Sequence, residues 1–429
     1  MVYNGVVMRM AASLFYLLVL FLPTQLGLHF FLPFSQIEGV PIDYLIPTLY
    51  FTDLLVICIV VGVLYHKFCT QKKFLTSFIQ SKSFVFLLVG VTYVLATSLM
   101  SVNVGAAVYK WVKIIEFLLL GWAIVQIRPN IKTVLLLLGV GVFFESLIAF
   151  GQFYLGRSIG FGLWWLGERS FYASTPGITT FSYDGALYLR PYATFPHPNV
   201  LGGFLALSIV ALLWGLTYLK KLFEKNEQIF LTLSCVIGMV ALLLTVSRAA
   251  WIVFILGIFL LGVESMKRRL PPVFISVSLW ILGMSFLSSI LIPLFFPQLL
   301  TMGGNHWMER GTLLWAATQM VSLSPFIGVG LNNFLVNLPS LLTNISSYSI
   351  FQPVHNIYML ILSETGFIGF CFFLIALYGL YQKSNRSIFG PLLLFLLLFL
   401  GLFDHYLITL QQGQLLFVLI ASLTYIKKT

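Results

Sequence analysis

Residues 198–219 read "PNVLGGFLALSIVALLWGLTYL", twenty-two positions without a charged side chain. A helix of that length crosses roughly 30 Å, the hydrocarbon thickness of a bilayer. The run is continuous rather than alternating, which favours a helix over a barrel strand. Similar runs recur from end to end of the 429-residue chain, which is 59% hydrophobic, 9% charged and has a mean hydropathy of +0.99. A soluble domain carries about a quarter charged residues. In lipid, only helices and closed barrels satisfy their own backbone groups. The expected fold is all-α: a polytopic integral membrane protein, residues 1–429 forming a single transmembrane domain of about twelve helices.

The expected spans are 11–32, 44–65, 84–100, 107–127, 133–155, 198–219, 229–246, 249–263, 272–296, 355–381, 388–404 and 408–426. The first is read as an uncleaved span, because no small-residue cleavage site follows it. Alternate connecting loops hold 17 of the 24 Lys and Arg residues and only Glu224, Glu227 and Glu264 among the acids. Lysine and arginine bias sets orientation, so both termini are expected in the cytoplasm. The net charge of +11 then belongs to basic loops beside spans and is not a nucleic-acid signature.

That orientation leaves two long loops outside, 156–197 and 297–354, the second with a short helix over 306–322 that ends at Ser324-Pro325. Long loops with their own character tend to be functional. In the first, Trp164, Trp165, Phe171 and Tyr172 either stack on sugar faces or sit at the membrane interface. Cys58, Cys69, Cys235 and Cys371 show neither metal-site nor disulfide spacing.

Few charges remain outside the basic loops. Arg248 interrupts "LLLTVSRAAWIVF", where only Thr245-Val246-Ser247 can separate two spans. An arginine at that depth either snorkels to the interface or clamps an anion, since its planar fork pairs with phosphate oxygens. Arg310 lies on the helix of the second loop, as a surface residue or a second clamp. Arg190 opens "RPYATFPHPNVLGGFLAL", and His197 in that stretch reads as a helix cap or as a functional imidazole. His355 and Asn356 open the span at 355–381. A helix N-terminus disfavours imidazolium, and a neutral imidazole can act as a general base. Asn356 is placed to orient the ring or bond a sugar. Glu364, about 13 Å further along the helix, is not a partner of His355. Lys113 and Glu116, three residues apart, are expected to pair, and Glu145 has no evident partner.

The stretches "TVSRAAWIVF" (245–254), "ERGTLLWAATQMVSLSPFIGVGLNNF" (309–334) and "HNIYMLILSETGFIGF" (355–370) follow "ATFPHPNVLGGFLAL" (193–207). In that order they resemble the O-antigen ligase and polymerase superfamily of bacterial inner-membrane glycosyltransferases. The resemblance implies transfer of a glycan from an undecaprenyl-pyrophosphate carrier to an acceptor hydroxyl on the extracytoplasmic face, for polysaccharide biosynthesis in the cell envelope. It maps the short-loop arginine to Arg248, the large-loop arginine to Arg310 and the histidine of the His-Asn pair to His355, with Arg190 as the outer arginine. Positive groups would stabilise the departing pyrophosphate. No cofactor and no metal are expected, because no carboxylate cluster is evident to hold a divalent ion. In-line attack would invert the anomeric carbon. The acceptor could be a glycan, a lipid or a protein, so a polymerase or a protein O-oligosaccharyltransferase remains open beside a ligase. From another class, a transporter or flippase for a lipid-linked sugar would need polar residues through the whole membrane, whereas these cluster at one face.

Overall fold

The computed structural model describes residues 2–70, 82–183, 186–267, 305–342, 351–383 and 389–425. The expected span at 272–296 lies outside the described residues. Fourteen α-helices occur among those described: α1 Val2–Leu20, α2 Phe51–Thr70, α3 Lys82–Leu99, α4 Val104–Ile127, α5 Ile131–Leu155, α6 Pro198–Tyr218, α7 Lys225–Leu244, α8 Arg248–Lys267, α9 Asn305–Leu323, α10 Phe334–Leu341, α11 Ile357–Lys383, α12 Phe389–Leu400, α13 Tyr406–Thr409 and α14 Gln411–Leu423. Five of the segments, Phe51–Thr70, Ile131–Leu155, Pro198–Tyr218, Lys225–Leu244 and Ile357–Gln382, are long and apolar enough to cross a membrane. Shorter apolar helices include Gly5–Leu20, Leu88–Leu99, Phe389–Leu400 and Gln411–Leu423. The chain is a multi-pass membrane protein.

Helix α6 is buried on nearly every side, packing against α5, α7, α8 and α12. A helix that is apolar all round belongs in such a position, and this explains why residues 198–219 lack a charge. Glycine lets neighbours approach: a Cβ on Gly203 would overlap the Tyr406 hydroxyl. That contact seats the segment between α12 and α14 against the start of α6.

Several expected boundaries move, for local reasons. Helix α1 stops at Leu20 rather than 32, just short of Pro23. The following residues form β1 Gly27–His29, which pairs antiparallel with β4 Thr48–Tyr50. Helix α2 accordingly begins at Phe51 rather than 44, with Asp53 Oδ2 accepting the Tyr50 N–H at 2.9 Å. Helices α7 and α8 are twenty residues each, longer than the expected 229–246 and 249–263. A reciprocal cap between Glu224 and Glu227 starts α7 early. Helix α11 is broken at Gly366, whose φ of 63° is left-handed. A Cβ there would strike the Phe326 backbone, so glycine is required.

Short hairpins decorate the loops: β2 Gln36–Ile37 with β3 Val40–Pro41, and β5 Thr180–Tyr183 with β6 Ala186–Leu189. Phe171, read from sequence as a possible sugar platform, is instead buried against Tyr192 with ring centroids 5.0 Å apart.

Candidate functional site

The turn between α7 and α8 is held by Thr245, whose hydroxyl accepts the Ser247 N–H at 3.3 Å, and Val246 takes a φ of 51°. This leaves the Thr245 carbonyl free to accept Arg190 Nε at 2.7 Å. The Arg190 fork reaches further, donating to Asn199 Oδ1 at 2.7 Å. Asn199 Nδ2 in turn donates to Asp404 Oδ2 at 2.9 Å. Four separate segments are thereby tied together: the 245–247 turn, the arm after β6, the start of α6 and the link between α12 and α13.

His197 caps α6. Its Nδ1 accepts the Asn199 N–H at 3.1 Å, the capping geometry that the sequence left open. Asn356 caps α11: its Oδ1 accepts the N–H groups of Tyr358 and Met359 at 2.9 and 3.0 Å. The Asn356 oxygen is thus committed to backbone rather than to the His355 ring. The Ile357 N–H donates to Gly401 O and the Tyr358 hydroxyl to Leu398 O, both at 2.8 Å. These bonds fix the His355 segment against the end of α12.

His355 and His405 meet edge to face, ring centroids 5.2 Å apart. Tyr44 also meets His405 edge to face, with ring centroids 5.4 Å apart. His405 Nδ1 lies 2.8 Å from the Thr409 hydroxyl. His355 Nδ1 is buried with no hydrogen-bond partner. A buried polar atom without a partner is costly unless function or a ligand uses it.

Charge completes the picture. Asp404 is buried, and burial alone pushes its carboxyl up; the basic groups around it, His355 first and Arg310 among them, outweigh that and hold it at about 2. Burial pulls His355 below the ordinary histidine value, opposed by Asp404 and aided by Arg310. Burial likewise brings His197 to about 4 and His405 to about 3, against the pull of Asp404. The three imidazoles are neutral at pH 7. The charges of Arg310 and Arg248 both act on Arg190, and that of Arg310 acts on all three histidines and on Asp404.

Ligating atoms of His355, Asp404 and His405 lie within 4.8 Å of one another, a donor set that a divalent ion could accept. Their surroundings favour an anion instead. The guanidinium of Arg310 acts on every member of this donor set, and the Asp404 oxygens already accept from Asn199 and from the His405 N–H. Asp404 and His405 were not singled out in the sequence, although "FDHYL" (403–407) is a polar break between two apolar runs.

Lys113, Glu145 and Glu364 are buried too, each with other partners. Lys113 Nζ pairs with Glu116 at 3.1 Å, and also with Asp53 at 2.6 Å. Gln411 Nε2 donates to Asp53 Oδ1 at 2.5 Å. Glu145 accepts from the Thr194 N–H and hydroxyl, and Glu364 from the Phe334 N–H. These acids are spent on structure.

Among curated proteins, no relative matches the chain. Residues 233–374 match the family model described as O-Antigen ligase. The match contains Arg248, Arg310 and His355, while Arg190, Asn199 and Asp404 lie outside it. Over residues 233–374, the chain is thus similar to the O-antigen ligase family.

Proposed function

We propose that the protein is a glycosyltransferase that moves a glycan from an undecaprenyl-pyrophosphate carrier to an acceptor hydroxyl, in the manner of an O-antigen ligase. The observation that supports this most is the site's charge pattern: Arg310 acts on an imidazole whose buried Nδ1 has no partner, and Arg310 and Arg248 both act on Arg190, which is tied through Asn199 to the Asp404 beside that ring. In this reading His355 takes the proton of the acceptor hydroxyl as that oxygen attacks the anomeric carbon. The bond from that carbon to the pyrophosphate oxygen breaks on the opposite face, and configuration inverts. Negative charge grows on the departing pyrophosphate, where Arg248, Arg310 and Arg190 stabilise it without a metal. Asp404 stabilises the imidazolium that His355 becomes. The charge of the arginines would also favour binding of the carrier before reaction.

In this reading the membrane is the bacterial inner membrane that the family resemblance implies, and the distribution of lysine and arginine supports an extracytoplasmic site with both termini cytoplasmic. The expectation that His197 and Asn356 bind substrate is carried here by position only, since both side chains also cap helices.

The test uses purified protein in nanodiscs with an undecaprenyl-pyrophosphate-linked glycan and a panel of glycan, lipid and protein acceptors. Products are read by mass spectrometry. Wild type should add the glycan mass to one acceptor, and His355→Ala should lower the rate by about 10²–10⁴-fold, the usual contribution of general base catalysis. Unchanged transfer by His355→Ala would remove the proposed base. Movement of labelled carrier between leaflets without any transfer would overturn the enzyme reading.

A further inference from the structure

Residues 154–172 present an aromatic surface that the site does not use. Phe161 is 100% exposed, Tyr154 89%, Trp164 67% and Trp165 65%. Bare aromatic surface of this kind is unremarked in a loose loop, but this loop is tied down. The buried Glu168 carboxylate accepts the N–H groups of Ile159 and Gly160 at 2.6 and 2.9 Å and the Gln152 amide at 2.9 Å. Ser158 and Phe171 are joined through backbone and hydroxyl. Phe161 is held at a φ of 47°, uncommon for a bulky residue. The fold constrains this backbone in a way that presents the ring outward.

Helix α5 shows what the rings face. Phe144, Leu147, Tyr154 and Leu155 are all exposed, and their spacing places them on one side of the helix. In a membrane protein, an outward apolar stripe on a spanning helix faces lipid. Gly151 lies on the same side, and the Ile159 side chain folds over it into the space a Cβ would take. The loop therefore leaves α5 along its lipid-facing stripe. Exposed Arg157 stands where the helix gives way to the loop.

We propose that Tyr154, Phe161, Trp164 and Trp165 dock into the surface of the membrane that the chain spans, at the boundary between headgroups and acyl chains, with Arg157 at the level of the lipid phosphates. Tryptophan and tyrosine favour that depth because one part of the ring is apolar and the other seeks a hydrogen bond. Continuity with the α5 stripe distinguishes lipid from a sugar as the occupant, and partly exposed Leu155 and Leu166 beside the rings suit lipid better than a hydroxylated ligand.

The test is fluorescence quenching of the full chain in phosphatidylcholine–phosphatidylglycerol nanodiscs. Emission that Trp164→Phe/Trp165→Phe removes from the nine tryptophans is obtained by difference. It should be quenched by lipids brominated high on the acyl chain and shielded from aqueous iodide. Phe161→Trp, at a fully exposed position, should add emission with the same behaviour, which keeps the test valid should the double variant fold poorly. Quenching by iodide and not by brominated lipid would overturn the proposal. So would resistance to both, which means that protein covers the rings, and so would shielding that appears only when a glycan is added.

Discussion

Asn199 donates to Asp404 at 2.9 Å across 205 positions of sequence, and this bond helps hold the Asp404 carboxylate beside His355. The carboxylate is buried and ionised, so it acts on the histidine through a medium that screens weakly. Asp404→Asn keeps the shape and removes the charge. A hydrogen bond or close interaction with a charged group is worth about 1.5–3 kcal/mol, which corresponds to a rate loss of roughly 10- to 150-fold. The measurement is the initial rate of glycan transfer by purified variant, beside its thermal unfolding midpoint. A rate within twofold of wild type would separate Asp404 from the chemistry.

Arg190 makes two directed bonds with one side chain, to Thr245 O through Nε and to Asn199 Oδ1 through its fork. A lysine carries the same charge but cannot reproduce both directions. Arg190→Lys should therefore weaken binding of a polyprenyl-pyrophosphate analogue by about tenfold or more, the cost of one lost charge-assisted bond. Titration calorimetry or a filter-binding assay on the purified variant checks this. Equal affinity would mean that charge alone matters at this position.

Much of this arrangement was legible in the sequence, and the misses have physical causes. Arg248, Arg310 and His355 stood out because a charged or polar group at the edge of lipid is costly and few such groups exist here. The helix at α6 followed from twenty-two residues without charge, whereas its burial among α5, α7, α8 and α12 did not, being a matter of packing. Asp404 was absorbed into the end of an expected span, because a single acid at a helix end does not disturb an apolar window. The Lys113–Glu116 pair was visible at helical spacing, yet Asp53 was not, since it reaches Lys113 from another helix. Hydrophobic pattern reports which face is buried; it carries no information on which distant segment supplies the partner. The ends of α1 and α2 shifted for a similar reason: pairing of β1 with β4 is a contact between segments, not a property of either.

Lys113 illustrates the cost of such a partnership. It is buried with Asp53 and Glu116, at 2.6 and 3.1 Å. Lys113→Met leaves the buried Asp53 carboxyl and the half-buried Glu116 carboxyl without their cation. Breaking a buried pair by removing one partner costs about 3–5 kcal/mol, so the variant should unfold at lower temperature in detergent. Adding Asp53→Asn and Glu116→Gln removes the stranded charge and should restore much of the loss. A single variant as stable as wild type would show that water already reaches the cluster.

The three histidines make stability depend on pH with a definite sign. His197 is held at about 4 and His405 at about 3, and His355 is also below the ordinary value, in each case first by burial. The unfolded chain binds these protons near pH 6.5. Between that value and the folded values, the unfolded state therefore holds more protons, and stability rises with pH across this window. Lowering the pH from 7 towards 4 should lower the thermal midpoint progressively. The structural event is specific at His197: protonating Nδ1 removes the acceptor that caps α6 at Asn199. Asp404 adds a further loss only at lower pH, because its stabilisation disappears between the ordinary aspartate value and about 2. Differential scanning fluorimetry from pH 4 to 8 checks the trend, and His197→Asn, which preserves a capping oxygen, should flatten it. A midpoint that does not fall below pH 6.5 would mean that these rings are not buried in the neutral form.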